Sequence, residues 1–379
     1  MTDRVPFNRP RIAGAELDHI RDAVERGQLA GDGHYTDLCQ RWLCDFTGAQ
    51  AALLTHSCTA ALEMAAILAG IGPGDEVIMP SFTFVSTANA VVLRGGVPVF
   101  VDIRPDTLNL DEEKVAAAIT ARTKAIFVVH YAGVVAEMDR IAALAEEHGL
   151  IVVEDAAHAF GSKFHGRSAG AIGDMATFSF HETKNIISGE GGAILFRNPA
   201  FVERAEVIRE KGTNRKQFFR GQVDKYTWVD LGSSYLPGEL IAAFLYGQLE
   251  SAGEIQGERM ANWQRYDAAL RSFHNRGIGL PDIPAHCTHN AHLYYVLMPD
   301  LELRQQMIAR LREDGIVAPF HYVPLHSAPA GRRYGGAGGD LPVTDDVSGR
   351  LLRLPLYPRM GGAVDRVIDR VSEHLQDML

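Results

Sequence analysis

The sequence predicts an α/β fold: a large domain built on a mostly parallel sheet between helices, and a smaller α+β domain toward the C-terminus. Three observations carry that expectation. Short apolar runs alternate with amphipathic helical stretches through residues 51–196, as strands do when helices cover both faces of a parallel sheet. The 379 residues suffice for a large domain and a smaller one. After a long helical stretch the pattern changes to isolated strands and helices around a Gly-rich loop. The expected units are residues 1–250, including an N-terminal arm, and residues 251–379.

Taken in order, residues 16–26 and 35–46 have helical spacing and form the arm. Ala51-Ala52-Leu53-Leu54 is a short strand, and Ser57 caps a helix that runs to about Leu68. Strands follow at 76–79 and 97–101, on either side of a helix around Asn89, and then at 125–129. A helix over 136–147 leads to the strand Leu150-Ile151-Val152-Val153. Two more strands, 175–180 and 192–196, lie close together around a Gly-rich segment. One long helix over 239–271 carries the chain out of the large domain. A strand at 292–298, a helix at 302–313, a Gly-rich loop at 335–339 and a terminal helix at 364–378 make up the rest.

Composition removes several classes of function. Hydrophobic residues make up 46% of the chain and charged residues 22%, so a substantial core forms without covalent staples. The formal charge of -10 argues against nucleic acid or an anionic membrane as a partner. Cys39, Cys44, Cys58 and Cys287 make no CxxC pair and no zinc-ligand spacing, so no metal is expected and the thiols read as reduced. Neither a signal peptide nor a bilayer-spanning stretch is visible, and a cytoplasmic protein is expected.

Ligands of open α/β sheets gather outside the carboxyl ends of the strands, and three informative segments fall there. His56-Ser57-Cys58-Thr59 lies at a strand-to-helix turn, where free amides, the helix dipole and two hydroxyls make an anion cup. Plain capping by Ser57 is the simpler reading of that segment alone. Glu154-Asp155-Ala156-Ala157-His158 follows an apolar strand. A carboxylate there needs a partner, and a protonated ring nitrogen would serve, unless Asp155 merely caps the next helix. Lys184 sits between an apolar strand and Gly189-Glu190-Gly191-Gly192, 29 residues after Asp155. Isolated lysines are mostly solvated, but a lysine of lowered pKa forms Schiff bases. Together the segments offer a phosphate cup, a carboxylate for a pyridine nitrogen and an amine for an aldehyde, the three partners that pyridoxal phosphate requires.

With these segments in place, the chain resembles the nucleotide-sugar aminotransferases of the DegT/DnrJ/StrS family, within fold-type I of the pyridoxal-phosphate enzymes. The resemblance runs from Pro6-Phe7-Asn8 to the terminal helix. It is closest to enzymes that aminate dTDP-4-keto-6-deoxyglucose at C4, on Pro80-Ser81-Phe82-Thr83-Phe84-Val85-Ser86-Thr87-Ala88-Asn89, on 181–192, and on Lys211-Gly212-Thr213-Asn214 through Trp228. It implies that Lys184 holds the cofactor and moves the proton, that Asp155 pairs with the pyridine nitrogen, and that His158 lies near the ring. It further implies that Phe84 stacks on the ring face, a core aromatic being the plainer alternative. Ser57, Cys58, Thr59 and Ser179 would take the phosphate. The substrates implied are L-glutamate and a nucleotide-linked keto-sugar, with pyridoxamine 5'-phosphate formed between the two halves. The assembly implied is a homodimer with shared active sites. One departure stands out. Where many members have an Asn-rich stretch that reaches the neighbouring subunit's phosphate, this chain reads Gly232-Ser233-Ser234-Tyr235-Leu236-Pro237, with Ser234 the candidate stand-in and Pro237 the first turn of a helix.

The segment 211–230 is locally basic and aromatic. Lys211, Arg215, Lys216, Arg220 and Lys225 stand against Asp224 and Asp230, among Phe218, Phe219, Tyr226 and Trp228. Such a patch suits a diphosphate with a base or sugar to stack on, or a loop packed against a partner subunit. By resemblance it does both, and His181, His321 and Tyr322 join it on the substrate side. Two other functions fit less well. A nicotinamide dehydrogenase would place GxGxxG after its first strand, whereas Gly70-Ile71-Gly72-Pro73-Gly74 follows a helix and contains proline. The related sugar 3-dehydratases carry histidine at the Lys184 position. A non-catalytic cofactor-binding regulator remains a third reading, against which the intact Lys184 and Asp155 speak.

Overall fold

The protein is described from a computed structural model covering residues 4–379. Helices α1 (Glu16–Glu25) and α2 (His34–Thr47) precede strand β1 (Ala51–Thr55), helix α3 (Cys58–Leu68), β2 (Glu76–Pro80), α4 (Val85–Val92) and β3 (Val97–Val101). Then come α5 (Glu112–Ala118), β4 (Thr123–Val129), α6 (Met138–His148) and β5 (Ile151–Asp155). A short ribbon, β6 (Lys163–Phe164) and β7 (Arg167–Ser168), leads to β8 (Met175–Ser179) and β9 (Gly192–Phe196). Helices α7 (Val202–Arg209), α8 (Arg215–Phe219), α9 (Glu239–Glu250) and α10 (Ala252–Leu270) follow. The remainder holds β10 (Cys287–Thr288), β11 (Tyr294–Leu297), α11 (Leu301–Glu313), α12 (Pro329–Tyr334), β12 (Gly336–Ala337), α13 (Pro342–Arg350), β13 (Leu351–Leu354) and α14 (Ala363–Met378).

The main sheet has eight strands in the order β1-β9-β8-β5-β4-β2-β3-β12. All neighbours run parallel except β9, which is antiparallel to both β1 and β8. Because Gly192 of β9 stands opposite both Thr55 and Ser179, the carboxyl ends of β1 and β8 meet at one edge, beside the end of β5 at Asp155. Segments more than a hundred residues apart therefore open onto the same side of the sheet.

The strands are apolar on both faces because both are covered. Alternation sends Ile126, Val128 and Val152 to a core shared with α1, α2, α6 and α9. Ala125, Phe127 and Val153 go to a core under α3, α4 and α7. A third core gathers α10, α11, α14 and the antiparallel pair β11 and β13, and the N-terminal Val5 packs into it.

Four expectations change. The helix expected over 239–271 is two helices that break at Ser251, because Ser251 leaves helical geometry with φ -100° and ψ 9°. The Gly-rich loop at 335–339 supplies β12, which adds to the edge of the main sheet, parallel to β3. Pro237 lies ahead of α9, whose N-cap is Gly238, so it is not in the first turn. The short helices α5, α7, α8, α12 and α13 carry too few apolar repeats to stand out in the sequence. Among the described residues no helix is long and apolar enough to cross a membrane.

Candidate active site

A cavity of about 780 Å³ opens at the carboxyl edge of the main sheet, closed on its far side by residues from the C-terminal third of the chain. Lys184 enters it from the turn after β8. The amine forms no hydrogen bond or ion pair with any described residue. Burial pushes it below the ordinary lysine range, partly offset by the nearby Cys58 and Asp155.

Asp155 ends β5 and is 5% exposed. Thr87 of α4 donates to its Oδ2 at 2.7 Å, and the Ala157 amide donates to Oδ1 at 3.3 Å. Burial still pushes the carboxyl above its ordinary value, so two donors do not satisfy it. A cation in the cavity would. The helix-cap role considered for Asp155 is not what it does, since no helix starts at 156–158.

The anion cup takes shape at the start of α3. Ser57 does cap the helix, its Oγ accepting from the Ala60 amide at 3.1 Å, and the Ala61 amide donates to the Ser57 carbonyl. That leaves the Cys58 and Thr59 amides, which have no intrahelical acceptor, on residues that line the cavity at the positive end of the helix dipole. Thr59 Oγ1 and Ser86 Oγ lie 2.8 Å apart beside them, and Ser179 closes the rim. The cup depends on Gly192, since a Cβ there would stand 2.5 Å from the Cys58 amide nitrogen. Capping and anion binding thus belong to different atoms of one turn.

His158 and His292 stack at 4.2 Å, and both are held neutral, far below the ordinary histidine range, chiefly by burial. Nδ1 of His158 is buried and meets no partner among the described residues, while Nε2 lies 3.2 Å from the Tyr322 hydroxyl. His321 stacks on Tyr322 at 3.7 Å and lies 2.7 Å from the Tyr131 hydroxyl. Phe84 is 57% exposed on the cavity wall, which removes the reading of a core aromatic. His181 also lines the cavity, within 3.6 Å of Glu190.

The structure thus brings together Lys184, Asp155, His158, Ser57, Cys58 and Thr59, and with them Phe84, Ser179, His181, His321 and Tyr322. It does not bring in Ser234, Lys211, Arg215, Arg220 or Tyr226, which do not line this cavity within one chain. Lys211 and Arg215 pair with Glu210, and Arg220 pairs with Glu206. Lys216 lies 3.4 Å from both Glu206 and Asp32. These acids lie outside the window in which the basic residues were counted, so the patch is far less basic than its sequence suggests. Ser234 is exposed and bridges to Glu210. Several residues escaped sequence reasoning. Thr87 and Ser86 sit within the Pro80–Asn89 stretch, where their hydroxyls were a usable signal; His292 and Arg353 carried none.

A molecule with an aldehyde, a ring nitrogen and a phosphate would find a counterpart for each in this cavity. The amine is unpaired, the carboxylate lacks a cation, and the amides at the helix start are open. The residues present fit pyridoxal 5'-phosphate, and with this fold they define a pyridoxal-phosphate-dependent transferase of fold-type I. Residues 10–372 match the DegT/DnrJ/EryC1/StrS aminotransferase family, and the chain belongs to it, which makes it an aminotransferase. It is 34% identical to the spore coat polysaccharide biosynthesis protein SpsC of Bacillus subtilis, over 99% of this chain and 97% of that protein. The crystal structure of the aminotransferase TlmJ from Streptoalloteichus hindustanus superposes with a TM-score of 0.92 at 32% identity, covering 100% of both chains. That of S. venezuelae DesV gives 0.89 at 32% identity over 99% of each.

Proposed function

We propose that this protein moves the amino group of L-glutamate to C4 of dTDP-4-keto-6-deoxyglucose, giving a dTDP-4-amino-4,6-dideoxyhexose of the galacto or gluco series. The observation that carries the transfer is the Lys184 amine, buried on the cavity wall with no hydrogen bond or ion pair to any described residue, near the buried Asp155 carboxylate. The sugar nucleotide is supported by the resemblance on 80–89, 181–192 and 211–228, and by kinship to a polysaccharide biosynthesis protein.

Lys184 holds the cofactor through Nζ and, once displaced by the incoming amine, carries the proton from the donor's Cα. Burial, which lowers its pKa, favours the neutral amine that can accept that proton. When bound, the cofactor supplies a protonated ring that accepts the electron pair left on Cα. Asp155 keeps that ring nitrogen protonated, and Thr87 keeps Asp155 aimed. The Cys58 and Thr59 amides, with Thr59 and Ser179, grip the phosphate. Phe84 and His158 line the cavity where they would flank the ring, and burial favours the neutral imidazole of His158. His181, His321 and Tyr322 face the sugar.

The working unit is a homodimer in the cytoplasm. Phe219, Tyr226 and Trp228 are 69%, 54% and 79% exposed, which suits aromatic anchors that reach a second chain. With them, Lys211, Arg215, Arg220 and Ser234 help close the partner's cleft over the diphosphate. The test is incubation with dTDP-4-keto-6-deoxyglucose and L-glutamate. An NMR spectrum showing an amine at C4, with 2-oxoglutarate released, is expected. An unchanged keto-sugar would reject this substrate. A protein that binds the coenzyme, is trapped by borohydride at Lys184 and transaminates nothing would instead be a regulator.

A further inference from the structure

The run His321-Tyr322-Val323-Pro324-Leu325-His326 ends on a second histidine that does not line the cavity. Its Nδ1 lies 2.8 Å from Oγ of Ser81, and its Nε2 lies 3.3 Å from Oδ1 of Asp345. A serine, a histidine and an aspartate in a row are the parts of a hydrolytic triad, but this row cannot act as one. In a hydrolase Nε2 faces the serine, whereas here Nδ1 does. Ser81 is fully buried just past the end of β2, and its oxygen already accepts from the His326 amide at 3.0 Å.

The row instead holds a loop. The Leu325 amide donates to the Ser81 carbonyl at 3.0 Å, so one residue takes two consecutive amides and a ring. At the other end of the loop the Arg353 amide of β13 donates to the Pro319 carbonyl at 2.9 Å. Residues 319–326 therefore cross from the C-terminal core to the end of β2. Between these attachments lie His321 and Tyr322, which line the cavity and meet Phe82 edge to face, directly after Ser81 in the chain. A slip of one residue at Ser81 would carry both rings away from Phe82 and from their partners Tyr131 and His158.

Asp345 decides which way the ring donates. It stands in α13, whose start is bound by the buried Asp102, next after β3, through the Val343 and Thr344 amides at 3.1 and 2.8 Å. A carboxylate accepts, so Nε2 faces it with a hydrogen and Nδ1 is left for Ser81. With the ring neutral the serine donates to Nδ1, and with the ring charged Nδ1 donates to the serine. The bond persists in both states.

We propose that His326 is a positioning residue for the keto-sugar nucleotide: pinned to Ser81, it holds the loop that presents His321 and Tyr322 to that substrate. The pin rests on the reading above, in which those two side chains face the sugar, and adds what keeps them in place.

The test compares His326→Asn with His326→Gln in the holoenzyme. An asparagine amide stands where Nδ1 stood and still reaches Ser81. A glutamine amide stands where Nε2 stood and does not, although it fills more of the space of the ring. Hydrogen exchange of the 319–328 peptide, read by mass spectrometry, should quicken about 10-fold in His326→Gln, as for loss of one hydrogen bond, and stay near wild type in His326→Asn. The KM for dTDP-4-keto-6-deoxyglucose should rise by about the same factor in His326→Gln, while that for L-glutamate should change little. Ser81→Ala should reproduce this loss, and the double variant should lose little more, because the two residues make one contact. If His326→Asn is no better than His326→Gln, the ring merely fills space and the pin is overturned. Equal rises in both KM values, or additive losses in the double variant, overturn it as well. If the wild type ignores the keto-sugar, the substrate reading falls, and the exchange rates still decide whether the pin exists.

Discussion

The cleft at the carboxyl edge of the sheet and the segment 211–230 hold much of the chemistry that the sequence advertises, yet they treat charge in opposite ways. In the cleft, Lys184 has no partner, Asp155 has donors but no cation, and Nδ1 of His158 and Nε of Arg353 are left without hydrogen bonds. On the segment 211–230, Lys211, Arg215, Lys216 and Arg220 all lie near Glu206, Glu210 or Asp32. A site prepared for a ligand keeps groups unsatisfied where burial makes that expensive, and the ligand supplies the missing partners. A surface loop has no such need, and its cations find the nearest acids. The unsatisfied group, more than the density of charge, marks the place where chemistry happens.

The largest effect is expected at Lys184. Lys184→Ala should lower kcat at least about 1000-fold, the upper part of what general acid–base catalysis contributes. It should also abolish borohydride trapping at that residue, which peptide mass spectrometry would read. Asp155→Asn should cost about 100- to 1000-fold in kcat, comparable to removing one electrostatic partner of a transition state.

The same substitution sharpens the contrast through pH. Burial raises the folded-state pKa of Asp155 above its ordinary 3.8, so this group's share of stability is present at low pH and is lost as pH climbs from there through the folded value. Cofactor-free Asp155→Asn should therefore melt above cofactor-free wild type at pH 8, and the gap should close toward pH 4. A gap that is absent at pH 8 would mean that the carboxylate is already satisfied.

Smaller effects follow. Gly192→Ala must shift the Ser57–Cys58 peptide, and overpacking of this kind costs about 1–3 kcal/mol. Coenzyme affinity measured by fluorescence titration should fall accordingly. Arg220→Ala removes a half-exposed pair with Glu206 and should change stability by less than about 1 kcal/mol in a denaturant melt. A larger loss would show that the loop's charges are not ordinary surface pairs.

Much of the site was legible because its parts lie at boundaries that local pattern reveals. Ser57 before an apolar helix, Asp155 after an apolar strand and Lys184 before a Gly-rich turn each follow from short-range rules. The residues that complete the site were not legible. Arg353 lies in Leu351-Leu352-Arg353-Leu354-Pro355, where the sequence shows an arginine within an apolar strand and nothing of what it faces. His292 gave no sign of its stack on His158. The basic patch misled for the same reason, since Asp32 lies far from it in sequence and close to it in space.

The α/β class, most elements of the sheet, the candidate lysine, carboxylate and helix start, and the family resemblance could all be read from the chain alone. These rest on periodicity and on residue types at the ends of elements, both of which are local. The folded arrangement alone shows which described groups are left without partners, that Gly336 and Ala337 join the large sheet, and that Arg353 shares a cavity with Lys184. Those facts depend on which distant segments come into contact once the strands are ordered, and solvation of a charge is a property of that surrounding space.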